Sequence, residues 1–347
     1  MNATTPKPLP DTPLRVLELT GPDGLTLRLM NHGATWLSCQ VPLGDGNRRE
    51  VLLGAPSPQA QQLGRAYMGA TVGRYANRIA RATLQRDGET FALTPNPGSP
   101  HQLHGGPDGF DKRIWSIDSQ QPDAVTFSLH SPAGDQGFPG KLRVQVSYRL
   151  SEPGCIEMET VTEVDAPCPV ALTNHAYFNL DATHTDARTQ RLRVAAAQVM
   201  PVDAELIPFG PPVDVAGSSF DFRRAQVIGS RWLADEQQRI AGGYDHAWLL
   251  DATCADAAEA AAVLQSTDAR LQLSVSTSLP ALQVYGGQFL VGEIGRDGQP
   301  YPACAGVALE PGYLPDSPNH PEWPQPSCWL IPGQISRHRV VYRFEAG

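Results

Sequence analysis

Residues 141–150 read KLRVQVSYRL, and every second side chain is apolar. Leu142, Val144, Val146, Tyr148 and Leu150 fall on one side, and Arg143, Gln145, Ser147 and Arg149 on the other. A helix cannot sort this pattern, because its side chains come round about every 3.6 residues rather than every two. The alternation recurs in VTFSLH (125–130), IEMETVT (156–162), LQLSVST (271–277) and HRVVYRF (338–344). One apolar and one polar face is the signature of antiparallel strands with a single buried side. The punctuation agrees: the 32 glycines and 32 prolines are spread along the chain rather than gathered in one tail. GDGNRR (44–49), RDG (86–88), SEPG (151–154) and GRDG (295–298) are predicted hairpin or strand connections. Helical patterns are scarce. Residues 223–240 are predicted to hold a short helix, and the Ala-rich run 255–262 either begins another or is a loop leading into VLQ. The βαβ spacing of a doubly wound nucleotide fold is absent. The expectation is an all-β chain, one large antiparallel β-sandwich over residues 12–346, with 1–11 as a flexible N-terminal lead. Its long connections are where polar ligand-binding residues are expected.

Composition removes several function classes. Net charge is -9, only 18% of residues are charged, and Arg and Lys are scattered. Grip on a phosphate backbone needs clustered positive charge, so no nucleic acid partner is expected. The six cysteines lie far apart and none forms a C-x-x-C pair. They read as reduced, buried thiols of a cytoplasmic protein. The opening MNATTPKPLPDTPLRVLEL has no apolar core of signal-peptide length. No apolar run approaches about eighteen residues, so no membrane association is expected. Walker, G-x-G-x-x-G, H-E-x-x-H and G-x-S-x-G patterns are missing. ATP, dinucleotide, zinc-peptidase and serine-hydrolase chemistry therefore lose their usual support.

Five short stretches hold polar residues that a plain core or loop does not explain. TNHAYFNL (173–180) sets His175 between Asn174 and the aromatics Tyr177 and Phe178, with Asn179 following. An imidazole can exchange a proton near neutral pH, although a buried histidine satisfied by backbone carbonyls fits the same residues. GATVGRYANRIAR (69–81) offers Asn77 and two arginines, Arg74 and Arg78, whose rigid donor forks suit hydroxyls or a carboxylate. The alternative there is a structural loop with Arg78 paired to an acid. NPGSPHQLHGG carries His101 and His104, too few ligands for a zinc site but suited to hydrogen bonding. GGYDHAW (242–248) brings Asp245, His246 and Trp248, an acceptor pair and a flat aromatic face, or else a capped turn. In ALEPGYLPDSPNHP (308–321), Glu310 ends an apolar run, where a carboxylate can be held rigidly and partly desolvated. Asp316, Asn319 and His320 follow in a Pro-rich loop, which reads equally as surface.

Taken together, GRYANRI (73–79), HQLHGG (101–106), NHAYFNL (174–180), GYDHAW (243–248) and ALEPGYLPDSPNHP (308–321) resemble the aldose 1-epimerase family, the galactose mutarotases, in order and across most of the chain. The resemblance implies a β-sandwich of the supersandwich type. It implies interconversion of the α and β anomers of free aldohexoses such as D-galactose and D-glucose, with no cofactor and no metal. By position in these motifs, Glu310 resembles the family's general base and His175 its general acid. Arg78, His104 and Asp245 resemble its sugar-binding residues, with Asn77, Tyr177 and Trp248 in the same pocket wall. The expected partner is a small free sugar, and the chain is expected to be a monomer or homodimer. Where the family often has Thr-Gln after the base, this chain has Pro311-Gly312. A glutamine that could hold the sugar or the base is therefore missing there. A relative acting on a phosphorylated hexose should show further cations near the pocket, beyond Arg74 and Arg78.

Overall fold

The computed structural model describes residues 13–181 and 185–347, so the expected N-terminal lead, 1–11, lies outside the described residues. The alternating stretches are strands. They form Ala124–Ser131, Leu142–Arg149, Cys155–Val164, Leu271–Thr277 and Ile335–Ala346. All five lie side by side in a nine-stranded antiparallel sheet, which Ser116–Gln120 begins and Ala260–Gln265, Arg191–Val194 and Gln226–Val227 complete. The predicted turns close hairpins at Pro42/Arg48, Arg86/Glu89 and Arg149/Glu157, and GRDG lies within the Ile294–Pro300 bridge. The helix expectation for 223–240 holds only in part, as a short helix Glu236–Ala241 after a single 3-10 turn at Ile228–Arg231. In the Ala-rich run the loop alternative wins: Ala255 is extended, and the strand starts at Ala260.

A four-stranded sheet (Val16–Thr20, Thr26–Met30, Thr35–Pro42, Arg48–Glu50) and a six-stranded sheet share the core of the large sheet. Leu27, Leu29 and Trp36 of the first, Val144, Val146 and Tyr342 of the nine-stranded sheet, and Trp248, Leu282 and Leu309 of the third belong to one buried cluster. Burying one face of each sheet against the others is the layered solution open to strands with a single apolar side. All six cysteines are buried.

The six-stranded sheet decides what faces the functional cleft. Its order is Tyr177–Phe178, Val307–Gly312, Ala281–Tyr285, Asp245–Leu249, Gln198–Val199 and Val213–Asp214. In register, Tyr177, Ala308, Tyr285 and Asp245 form one row, and Glu310, Gln283 and Ala247 the next. Strand parity puts both rows on the same face. The intervening residues, His246 with Val284 and Leu309 and then Trp248 with Leu282 and Pro311, face the other way. Trp248 is therefore not a wall of the pocket. It is fully buried, packs among Phe220, Phe222 and Tyr244, and donates its indole N–H to the Phe220 carbonyl at 3.1 Å.

Trp36 ties the layers together. Its ring meets Tyr342 at 5.2 Å, Phe178 at 5.9 Å and Tyr148 at 6.4 Å between centroids. Replacing it with alanine is expected to cost about 3–5 kcal/mol of folding stability. Urea denaturation checks this, and an unchanged midpoint would show that the layers do not rely on this contact.

Candidate active site

A cleft of about 740 Å³ opens over the Tyr177–Asp245 face of the six-stranded sheet. Asn77, Arg78, His104, His175, Tyr177, Asp245 and Glu310 all line it. Seven of the eight residues expected from the sequence thus share one cavity, and Trp248 is the exception.

Glu310 sits in the middle of its strand and is only 5% exposed, as is the side chain of His175. The two meet at 3.6 Å, Glu310 Oε1 to His175 Nε2. His175 arrives from the loop edge beside the strand pair Thr173–Asn174 and Thr71–Val72. Its backbone N–H donates to the Ala70 carbonyl at 2.9 Å, and its carbonyl accepts from Gly69 N–H at 2.8 Å. Gly69 is required here. It has φ +68°, and a Cβ on it would lie 2.0 Å from the Trp36 carbonyl oxygen. Asn174 reinforces the same corner by donating to the Gly69 carbonyl at 2.7 Å and to the Tyr148 hydroxyl oxygen at 3.0 Å. The imidazole is packed between rings, with Tyr177 at 4.9 Å, His104 at 5.2 Å and Tyr67 at 5.7 Å.

The opposite wall comes from the 77–78 segment and the 101–106 turn. Asn77 adopts a left-handed φ of 65°, a conformation asparagine tolerates better than most residues. Its side-chain oxygen accepts from Arg78 N–H at 2.7 Å, and its own N–H donates to His104 Nδ1 at 3.2 Å. His104 also has a left-handed φ, and its N–H donates to the Asn77 carbonyl at 3.0 Å. The Arg78 guanidinium lies 3.6 Å from Asp245, and Asp245 accepts from the Gln283 amide at 2.6 Å.

Burial sets the proton affinities. It holds the Glu310 carboxyl well above its usual range, an effect reinforced by the Asp245 charge and opposed by Arg78. Burial lowers His175 to about 4. His104 is held well below its usual value by burial, then by His175 and Arg78. A low-dielectric site disfavours every charge that is not matched. At neutral pH His104 is thus a neutral imidazole.

His104, His175 and Glu310 each bring a ligand-type atom within 4.8 Å of the others. The hydrogen bonding of His104 argues against an ion there. Its Nδ1 lone pair accepts from Asn77 N–H, so the neutral ring carries its proton on Nε2. That nitrogen is a donor for an oxygen ligand, not a lone pair for a metal.

Other sequence candidates hold the frame. Arg74 is buried, with its guanidinium donating to the carbonyls of Pro139 and Gly140 and to Ser131 Oγ. His101 accepts from Arg81 N–H, Asn179 bonds Ala305 and Gln190, and His246 accepts from Asp245 N–H. Arg74 is turned away from the cleft, whose lining arginines are Arg65 and Arg78. Gly312 leaves open space on the face of Glu310, two residues along the strand. An amide does stand beside Glu310, from Gln283 on the neighbouring strand.

Sequence reading passed over Tyr67, Gln283 and Tyr285. The last two were readable, because ALQVY alternates Leu282 and Val284 with Gln283 and Tyr285, and parity assigns the pair to one face. Tyr67 gave no such signal. It sits in a loop, RAYMG, and becomes significant only through its contacts with His104 and His175.

The family model described as aldose 1-epimerase matches residues 15–343. The chain is 50% identical to an aldose 1-epimerase of Escherichia coli (strain K12) over 343 residues, covering 99% of both chains. It is 34% identical to a galactose mutarotase of Rattus norvegicus, covering 93% of this chain and 92% of that one. Among solved structures, an aldose epimerase homologue from C. elegans superposes with a TM-score of 0.85 at 30% identity, covering 96% of this chain and 99% of the other. A galactose 1-epimerase from Lactobacillus acidophilus NCFM superposes with a TM-score of 0.84 at 26% identity, over 99% and 98% of the two chains. With a buried carboxyl–imidazole pair in its cleft and this similarity along its whole length, the chain belongs to the aldose 1-epimerase family.

Proposed function

We propose that the cleft opens and recloses the ring of a free aldohexose, interconverting its α and β anomers, with Glu310 as general base and His175 as general acid. D-Galactose and D-glucose are the substrates this reading favours. The observation that carries it is the 3.6 Å pairing of a desolvated carboxyl with a desolvated imidazole. Opening a hemiacetal removes a proton from the C1 hydroxyl and delivers one to the ring oxygen as the C1–O5 bond breaks. Rotation about C1–C2 then presents the other aldehyde face, and closure runs the two transfers backwards. The C1–O5 electron pair passes to O5 as the carbonyl forms at C1, with no net oxidation or reduction and no covalent enzyme intermediate.

The pair needs one proton between its two members. The productive arrangement puts it on His175 and leaves Glu310 ionised. In the empty cleft burial favours the neutral arrangement, with the proton on Glu310, and the proton count is the same. Groups that titrate together in this way act as a unit. Hydroxyls of a bound sugar, His104 Nε2–H and the Arg78 guanidinium are suited to stabilise the separated charges. Arg78, His104, Asp245 and Asn77 hold the ring so that the reacting oxygens stay aligned. Tyr177 covers an apolar edge beside Glu310.

Polarimetry on freshly dissolved α-D-galactose and α-D-glucose tests the roles. Glu310→Gln keeps the shape but cannot take a proton, and kcat is expected to fall by roughly 10²- to 10⁴-fold. Near-wild-type turnover by a folded E310Q protein would sink the assignment.

The pH profile follows from the same proton count. Activity should fall as pH drops through about 4, where His175 takes a second proton. It should fall again as pH rises through the raised value of the Glu310 carboxyl, where the pair loses its only proton. The plateau between is therefore expected to extend well above the range of an ordinary carboxylate. A profile of kcat/KM whose alkaline limb lies in that ordinary range would contradict the shared-proton account.

A further inference from the structure

The Pro-rich loop that follows Glu310 does more than close the cleft. Asp316 is 2% exposed and has a left-handed φ of 58°. Its N–H donates to the Arg78 carbonyl at 2.8 Å, and its Oδ1 accepts from Ala80 N–H at 3.0 Å. One residue thus grips the backbone on both sides of Ile79. The same Oδ1 accepts from Asn319 Nδ2 at 2.8 Å, and Asn319 in turn donates to the Thr83 carbonyl and accepts from Gln85 N–H. Oδ2 faces His320 Nε2 at 3.3 Å, and His320 stacks on Trp323 at 4.0 Å. Ser317 completes the contact through the Tyr75 hydroxyl at 2.7 Å. The loop therefore seizes the 75–85 segment along its length.

We propose that Asp316 is the positioning residue for Arg78, fixing the sugar-holding guanidinium relative to Glu310, which precedes Asp316 on the same continuous segment. The proposal rests on the reading of Arg78 as a sugar-binding group. Its logic is geometric. Arg78 N–H is held by the Asn77 side chain and its carbonyl by the Asp316 backbone N–H, and the Asp316 carboxylate locks that contact in place by holding Ala80 N–H two residues on. Glu310 and Arg78 lie far apart in sequence, and of the bonds between their two segments those of Asp316 lie at Arg78 itself. A point 1 Å off in such a site is costly to catalysis.

The test separates positioning from simple stability. Asp316→Gly removes the carboxylate, and with it the bonds to Ala80 N–H and Asn319, while keeping the left-handed backbone and its N–H bond to the Arg78 carbonyl. It is expected to raise KM about tenfold, the loss of a charged hydrogen-bonding group's alignment, with a much smaller change in kcat. It should also move the alkaline limb of kcat/KM to higher pH. The sign follows from charge: Arg78 is the cation that lowers the Glu310 carboxyl, so displacing it lets the pair keep its proton longer. The other polar groups around that carboxyl, Asp245, Gln283, His175, His104, Tyr177, Tyr285 and Tyr342, are left in place. Asp316→Asn keeps the Oδ1 acceptor and tolerates the left-handed φ, so it should behave as wild type. The KM losses of D316G and Arg78→Ala should not multiply in the double variant, because both act through one guanidinium. Asn319→Ala strips only the outer half of the clamp and should move KM and the limb in the same direction by a smaller factor, which keeps the test open if D316G does not fold.

Wild-type KM and an unmoved limb in D316G would overturn the proposal. So would D316N as damaged as D316G, or fully multiplicative losses with R78A. If E310Q keeps its turnover, the reading of the site fails whatever Asp316 does. If E310Q is inactive and D316G behaves as wild type, only the positioning role falls.

Discussion

A carboxyl and an imidazole, each 5% exposed, meet at 3.6 Å. Everything else in the site is arranged around this pair. An unmatched buried charge is costly, and burial of this kind raises a carboxyl and lowers an imidazole. The two shifts reverse the order the groups have in water, so in the empty cleft the carboxyl rather than the imidazole holds the shared proton. A bound sugar that stabilises the separated charges would move that proton to His175, the arrangement the two reversible transfers require. Arg78 and Asp245 set the balance from the side, one opposing and one reinforcing the rise at Glu310.

Holding that pair is a task for the sheets. Glu310 projects from a strand flanked on both sides by others, so its backbone cannot shift without breaking ladders. His175 hangs from a corner fixed by Gly69, Asn174 and the Trp36 backbone. The large nine-stranded sheet contributes no side chain to the cleft lining. It contributes Tyr342 and Tyr148 to the core under Trp36 instead, and so supplies rigidity rather than chemistry.

The strands with one wet face were legible in the sequence, because alternation at 142–149 or 271–277 survives wherever solvent covers one side. Most of the six-stranded sheet was not, because it is largely buried on both faces: ALQVY alternates, but a strand such as VALEPG shows no alternation of polarity. The same cause explains the misplacement of Trp248. In DHAWL, Asp245 and Trp248 are three apart, which puts them on opposite faces of a strand, yet without a visible strand the parity rule had nothing to act on. Asn77, Arg78, His104, His175, Asp245 and Glu310 could be picked out because their stretches resemble family motifs, whereas residue type alone did not separate them from Arg74, His101 and Asn179, which hold the frame. Tyr67 and the role of Asp316 could not, since each depends on segments far apart in sequence.

The central claim is that Glu310 keeps its proton well beyond the usual carboxylate range because the carboxyl is buried. Infrared difference spectroscopy reads this directly, by following the protonated-carboxyl band of the wild type minus that of E310Q as pH is raised. The account predicts a band that persists far above pH 4.5, the ordinary value for this group, and vanishes only where the alkaline limb of activity begins. A band that disappears near that ordinary value would mean that the carboxyl is solvated and that the shared-proton pair does not exist.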